Sequence, residues 1–214
     1  MLFLASQSPR RRQLLNLLRV DYQIQNGEID ETPFINETPR DYVQRLAASK
    51  AKAVAPFVPA EAFILAADTT VVAEWNGNET IIGKPKDHQE ARVILAQLRG
   101  KPHFVYTALA LYHSASRKLW QDICLTEVFM RDYSDNEMEE YIASGDPFDK
   151  AGAYAIQHPG FHPVEKIEGC YANVMGLPLC HVAQLLKNAG VDVTVDIPHI
   201  CQQEFHISCR DLQR

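Results

Sequence analysis

The sequence lacks long apolar runs, a basic excess and paired cysteines. No stretch approaches the roughly 18 apolar residues that mark a membrane-spanning helix. The N-terminus MLFLASQSPRRR places its apolar residues before its charges, the reverse of a secretory signal. The five cysteines form no C-x-x-C pair, so neither a disulfide framework nor a cysteine zinc site is indicated. We therefore expect a cytoplasmic protein without membrane contact.

The charge balance argues against a nucleic-acid-binding protein. There are 21 Lys and Arg residues against 27 Asp and Glu residues, a formal net charge of −6. Such a chain repels polyanions at long range, so we expect no nucleic-acid partner, although local cations can still hold a small anion. What the chain does have is the composition of a soluble globular protein, with 46% hydrophobic and 22% charged residues among 214.

Strand-like and helix-like patterns alternate along the chain. LFLA at 2–5 predicts a strand, and the leucines after Ser8-Pro9 recur at helical spacing. FILAADTTVVAEW reads as a buried strand interrupted by an acidic turn, with Asn76-Gly77 as the following hairpin turn. Ser134 to Glu137 forms a capping box. We predict the α/β class, with a mixed sheet and two lobes around a central cleft.

The first candidate site lies between that strand and helix, where Ser6, Ser8, Arg10 and Arg11 cluster. A helix N-terminus presents unpaired N–H groups and partial positive charge, which suits a phosphate, and arginine can hold phosphate oxygens in a fork. The alternative is a well-capped surface helix with solvated arginines.

A second candidate is Asp68, directly after the apolar FILAA. Ligands of open α/β sheets collect at strand ends, where a carboxylate can hold a divalent cation or activate water. The alternative is a turn aspartate bonded to its own backbone. Likewise, the pair Asp30-Glu31 is compatible with plain solvation.

A third candidate, Gly83-Lys84-Pro85, fails as a phosphate-binding P-loop. Five residues separate Gly77 from Gly83 where that motif needs four, and Pro85 replaces the magnesium-binding hydroxyl. Lys84 can still reach a phosphate as a point charge, as can Lys50 on a helix predicted to open at Thr38. Solvent exposure is the alternative for both lysines.

Together these segments resemble the Maf family. The segments on which the resemblance rests are, in chain order, LASQSPRRRQLL, IDET, YVQRLAASKA, AADTTVV, GKP, HFVYTAL, DKAGAYAIQ and GCYANVMGLPL. The resemblance spans roughly residues 2–190. We take residues 1–195 as the Maf-type domain and leave 196–214 as an unassigned tail.

The resemblance implies an inosine-triphosphatase-like fold, a homodimer and a nucleoside triphosphate substrate cleaved between its α and β phosphates. It also implies a divalent cation, Mg²⁺ or Mn²⁺, held by Glu31 and Asp68, with Asp68 acting on the attacking water. The substrate-binding residues that the family motifs imply are Ser6, Ser8, Arg10, Arg11, Lys50, Thr69, Lys84 and Gln157.

Three positions separate branches of this family. Arg10, Thr69 and Gln157 match the branch that acts on dTTP and UTP, and we expect modified pyrimidine nucleotides to be substrates as well. The alternatives are hydrolysis of 7-methyl-GTP, whose branch carries other residues at these positions, and a nucleotide-binding regulator of cell division that does not hydrolyse. The chain departs from the family pattern after Gln157, where HPGFHPVEK replaces the usual glycines.

Overall fold

The computed structural model describes residues 1–75 and 77–207. Asn76 of the predicted hairpin turn and Cys209 lie outside the described residues.

The described chain forms one seven-stranded mixed sheet with helices on both faces. Its strands are β1 (Leu2–Leu4), β2 (Tyr22–Ile24), β3 (Phe63–Trp75), β4 (Asn78–Ile82), β5 (Pro102–His113), β6 (Leu119–Met130) and β7 (Val164–Glu168). The helices are α1 (Pro9–Leu17), α2 (Pro39–Val54), α3 (His88–Leu98), α4 (Asp135–Ala143), α5 (Tyr171–Val174), α6 (Leu179–Asn188) and α7 (Ile197–Phe205). The strand order is β2-β1-β3-β5-β6-β7, with β4 paired to β3. The predicted mixed α/β architecture is confirmed.

Local sequence signals position the first two helices. Ser8 caps α1 by accepting the Arg11 N–H at 3.4 Å, and Pro9 occupies the first turn, where its missing N–H costs nothing. Thr38 caps α2 by accepting the Asp41 N–H at 3.1 Å. Both starts were predicted, and both are confirmed.

Strand β3 is continuous, so the predicted acidic turn within it is wrong. Asp68 lies opposite Ala108 of β5, and residues 63–72 of β3 pair with β5 without a break. A turn aspartate bonds its own backbone, whereas the Asp68 carboxylate bonds the ammonium of Lys50 on α2. Because Asp68 bonds a side chain of α2 and not its own backbone, β3 continues through this position without a turn.

One edge of β3 is open in the middle. On that edge β1 pairs in parallel with residues 63–65, and β4 pairs with 71–75, so residues 66–70 have a strand neighbour only in β5. The opening lies where β1 ends and α1 begins, the end of a parallel strand at which α/β proteins place ligands.

The core is built from three apolar clusters. One packs α2 against Ile64, Ala66 and other side chains on the same face of the sheet. Another joins α1, α6 and the opposite face, and a third joins α3 and α4 to the far ends of β3, β5 and β6. Residues 197–205, which carried no assignable pattern, form α7 and bury Ile197 and Cys201 in the α1 cluster.

None of the helices in the described part of the chain is long and apolar enough to cross a membrane.

Candidate active site

A cavity of about 310 Å³ opens beside residues 66–70 of β3. Its walls come from the start of α1, the loop with Glu31, one side of α2, the loop after β4, residues 149–157 and the turn at 174–176. Eight charged side chains line it: Arg10, Arg11, Lys50, Lys84, Lys150, Glu31, Asp68 and Asp149. The basic groups outnumber the acidic ones, so the cavity suits an anion although the whole chain is acidic.

Two carboxylates converge on one ammonium in this cavity. Lys50 Nζ lies 2.6 Å from Asp68 Oδ1 and 2.7 Å from Glu31 Oε1. Burial raises the pKa of Asp68, and the charges of Lys50 and Arg11 oppose that rise. The pKa of Glu31 is lowered overall, because its bond to Lys50 and the neighbouring cations outweigh its burial. The two carboxyl groups therefore differ in proton affinity.

On the other face of β3, Arg11 is bound to Thr69. Its Nη2 donates to Thr69 Oγ1 at 3.0 Å, and its Nε donates to the main-chain oxygen of Gly176 at 2.9 Å. Burial lowers the pKa of the Arg11 guanidinium, and the Asp68 carboxylate acts in the opposite direction. Arginine stays charged under such shifts, so a fixed cation lines this side.

Asp68 and Thr69 are neighbours whose side chains leave β3 on opposite faces, as alternation along a strand requires. Both nevertheless line the same cavity, because no strand covers this edge of β3 at 66–70. The open edge is what brings the α2 side and the α1 side of the sheet to one site.

Most of the remaining predicted residues also lie here. Ser8, Arg10, Lys84 and Gln157 line the cavity, and Arg10 Nη1 lies 3.5 Å from Asp149 Oδ2. Ser6 is buried and outside this lining, and its Oγ accepts the N–H of Ser8 at 3.2 Å. This bond supports the turn into α1, and the predicted role of Ser6 in substrate binding stays a prediction.

Several cavity residues escaped prediction. Tyr42 donates its hydroxyl to the main-chain oxygen of Glu31 at 3.0 Å, and burial raises the pKa of that phenol. Lys150 is buried and donates to the main-chain oxygen of Asp146 at 2.6 Å. Both stand within segments that carry the family resemblance or adjoin it, which is the only signal the sequence offers for them.

The unusual loop after Gln157 is packed. His158 Nδ1 accepts the N–H groups of Gly160 and Phe161 at 3.3 and 3.0 Å. Phe161 stacks on Tyr141 with ring centroids 4.4 Å apart. His158 and Phe161 thus hold this turn in place.

Glu31 and Asp68 fit a divalent cation in part. Their oxygens already meet around a single positive charge, and carboxylates are ligands that Mg²⁺ prefers. Among the described residues no group of three or more His, Cys, Asp or Glu side chains converges as a metal site. Any cation here needs further oxygens from a ligand and water, as Mg²⁺ bound with phosphates does.

The fold and the cavity define an α/β protein with a phosphate-suited site at the end of a parallel strand. A HAM1 protein from Coxiella burnetii has a related fold, with a TM-score of 0.50 at 16% identity over 87% of this chain and 98% of that one. The family model described as "Maf-like protein" matches residues 1–189, and the chain belongs to this family.

The chain is also similar to proteins named dTTP/UTP pyrophosphatase. The relative from Citrifermentans bemidjiense is 45% identical over 187 residues, which are 87% of this chain and 94% of that protein. The relative from Myxococcus xanthus is 46% identical over 89% of this chain and 93% of its own length. A third, from Thermomicrobium roseum, is 44% identical over 94% of this chain and 92% of its own.

Proposed function

We propose that this protein hydrolyses dTTP and UTP to the nucleoside monophosphate and pyrophosphate. The observation that carries the proposal is the buried carboxylate of Asp68, placed 2.6 Å from Lys50 in a cavity with a basic excess. The relatives named dTTP/UTP pyrophosphatase support the choice of nucleotides.

Binding of the triphosphate is assigned to the basic groups. A nucleoside triphosphate carries several negative charges, and Arg10, Arg11, Lys50 and Lys84 all line the cavity. The N-terminus of α1 and Ser8 add N–H and O–H donors. These groups also stabilise the charge that develops on the leaving pyrophosphate.

Asp68 is the general base. Its carboxylate accepts a proton from a water molecule while the water oxygen attacks the α phosphorus. The bond between that phosphorus and the bridging oxygen breaks, and pyrophosphate leaves with the bonding electrons. The raised pKa of Asp68 makes it a stronger base than an exposed aspartate.

We assign Mg²⁺ or Mn²⁺ to Glu31 and Asp68 together with phosphate oxygens. When bound, such a cation neutralises phosphate charge and polarises the phosphorus–oxygen bonds. Lys50 bridges the two carboxylates before the cation arrives and restrains their repulsion.

Base selection is assigned to Arg10, Thr69 and Gln157, which line the cavity. The side-chain amide of Gln157 can present both hydrogen-bond donors and acceptors to a pyrimidine edge, and the Thr69 hydroxyl adds a further polar group. We further propose that the protein is a homodimer of the cytoplasm, which sedimentation equilibrium and cell fractionation test.

The deciding experiment is pyrophosphate release from dTTP, UTP, CTP, GTP and 7-methyl-GTP with Mg²⁺ or Mn²⁺. We expect release from dTTP and UTP by the unaltered protein, loss of it in Asp68→Asn, and full activity in the control Asp192→Asn at an exposed position. Preference for 7-methyl-GTP, or tight binding without release, would replace this function by one of the two alternatives.

A further inference from the structure

A chain of hydrogen bonds runs from the cavity into the core beneath it. Arg11 donates to Thr69 Oγ1, and the hydroxyls of Thr69 and Thr107 lie 2.9 Å apart. Thr107 Oγ1 in turn lies 2.9 Å from the main-chain oxygen of Asn173. Thr107 and Asn173 are both fully buried, so bulk water does not compete for these bonds.

The main-chain oxygen of Asn173, at the end of this series of hydrogen bonds, fixes which group donates in each of them. A carbonyl oxygen only accepts, so Thr107 donates its single proton to Asn173. Thr107 can then only accept from Thr69, and the proton of Thr69 points away from the cavity. Toward the cavity, Thr69 offers lone pairs alone. One of them accepts the bond from Arg11, which leaves one acceptor for a ligand.

The accepting carbonyl is itself held rigidly. The side-chain amide of Asn173 donates to the main-chain oxygen of Val105 at 2.9 Å and to Thr126 Oγ1 at 2.8 Å. Thr126 donates to the main-chain oxygen of Cys170 at 3.1 Å. The turn that carries Asn173 and Gly176 is therefore fastened to β5 and β6, and the Thr107 proton has a fixed acceptor.

We propose that Thr107, which does not line the cavity, is a positioning residue that makes Thr69 an obligatory acceptor for a donor group of the substrate. The proposal rests on the proposed function for the identity of the nucleotide. dTTP and UTP share two donors of this kind, the N3–H of the base and the 3′-hydroxyl of the sugar. Phosphate oxygens at neutral pH supply none.

The test compares Thr107→Val with Thr107→Ser, which restores the hydroxyl, and with Tyr133→Phe. Tyr133 is a control because it is equally buried and its hydroxyl donates to a main-chain oxygen, that of Leu95 at 2.7 Å, but it does not line the cavity and takes no part in the hydrogen bonds described above. For Thr107→Val we expect KM for UTP and dTTP to rise roughly tenfold with a smaller change in kcat. Tyr133→Phe lowers the melting temperature and leaves KM unchanged. Thr107→Ala repeats the test with a smaller side chain if Thr107→Val does not fold.

Two further nucleotides identify the donor. CTP lacks the N3–H, and 2′,3′-dideoxythymidine triphosphate lacks the 3′-hydroxyl. If the base is the donor, Thr107→Val narrows the preference for UTP over CTP; if the sugar is the donor, it narrows the preference for dTTP over the dideoxy analogue. An unchanged KM, an equal rise of KM in Tyr133→Phe, or a rise that alters neither preference overturns the proposal.

A binding measurement separates this inference from the function on which it rests. The probe is the α,β-methylene analogue of UTP, measured by calorimetry with each variant. If the unaltered protein releases no pyrophosphate, the proposed function fails, and the dissociation constant of the analogue alone decides the role of Thr107. Roughly tenfold weaker binding in Thr107→Val but not in Tyr133→Phe supports it; equal binding in both overturns it.

Discussion

Arg11 shows at the residue scale how the cavity is organised before a ligand arrives. Its guanidinium donates in two directions, to Gly176 and to Thr69. A planar group held at two points keeps its remaining donors aimed into the cavity, and less freedom is lost when an anion binds. A lysine carries its charge on one flexible nitrogen and cannot satisfy both partners in the same way.

Arg11→Lys should therefore impair binding although the charge is kept. We expect KM for UTP to rise by roughly tenfold or more, because a bidentate site loses its geometry. The control is Arg12→Lys, one residue further along α1 and outside the cavity lining. Steady-state kinetics of both variants test this, and an unchanged KM in Arg11→Lys contradicts it.

Gly176 gives a second prediction at this scale. Its φ is +102°, and an added Cβ lies 3.2 Å from Thr69 Oγ1 and 3.4 Å from Arg11 Nε. Gly176→Ala should lower both stability and kcat/KM, because backbone strain of about 1–2 kcal/mol combines with pressure on two cavity residues.

The matched control for that variant is Gly190→Ala. Gly190 also has a positive φ, +80°, but no atom lies within 4 Å of an added Cβ. We expect urea unfolding to show a lower unfolding free energy in both variants, and steady-state kinetics to show a lower kcat/KM only in Gly176→Ala. Equal kcat/KM values in the two variants would contradict the idea that the added Cβ crowds Thr69 and Arg11.

At the scale of elements, His103 joins β5 to the segment 154–157 that lines the cavity. Its Nε2 lies 2.8 Å from the hydroxyl of Tyr154, and burial lowers the pKa of His103 from its ordinary 6.5 to about 3. The folded protein keeps this imidazole neutral, whereas the unfolded chain protonates it below about pH 6.5.

The consequence is a pH-dependent stability. The contribution of His103 is complete above pH 6.5 and falls by up to about 1.4 kcal/mol per pH unit as the pH drops toward 3. Urea unfolding at pH 7 and at pH 5 measures how much unfolding free energy is lost between them. This loss should be smaller in His103→Gln than in the unaltered protein. His199→Gln, at an exposed histidine, should behave like the unaltered protein.

Helix α4 tests the capping box that the sequence predicted. Ser134 Oγ accepts the Glu137 N–H at 3.3 Å, and Glu137 Oε2 accepts the Ser134 N–H at 2.8 Å. Ser134→Ala should cost about 1 kcal/mol of unfolding free energy without a change in activity. Because the two bonds support each other, Ser134→Ala with Glu137→Ala should cost less than the sum of the single changes; strict additivity contradicts the reciprocal arrangement.

The elements that could be predicted are those whose ends are determined by residues nearby in the sequence. The starts of α1, α2 and α4 follow from capping residues a few positions away, so the sequence alone revealed them. The continuity of β3 did not emerge, because it depends on pairing with β5 about 40 residues later. The charged groups Arg11, Lys50 and Asp68 were identified from residue type and family blocks. The roles of Thr107 and Gly176 were missed, because their partners lie 38 to 165 residues away.

At the scale of the whole molecule, local and global charge have opposite signs. The chain carries a net charge of −6, yet five basic and three acidic side chains line the cavity. The field by which this cavity attracts an anion is therefore short-ranged and sensitive to ions. Raising NaCl from about 0.05 to about 0.5 M should raise KM for UTP several-fold and change kcat little; a KM independent of salt would argue against electrostatic capture.

The open edge of β3 also bears on how such a site can diversify. Asp68 and its partners belong to the α2 layer, whereas Thr69 and Arg11 belong to the α1 layer on the opposite face of the sheet. The two layers meet in the cavity, and the sheet separates their packing elsewhere. Under the proposed function, mutations that alter which base is accepted can therefore accumulate on the α1 side while Asp68 and its partners are left intact, so that new specificities can arise from this scaffold with the same chemistry.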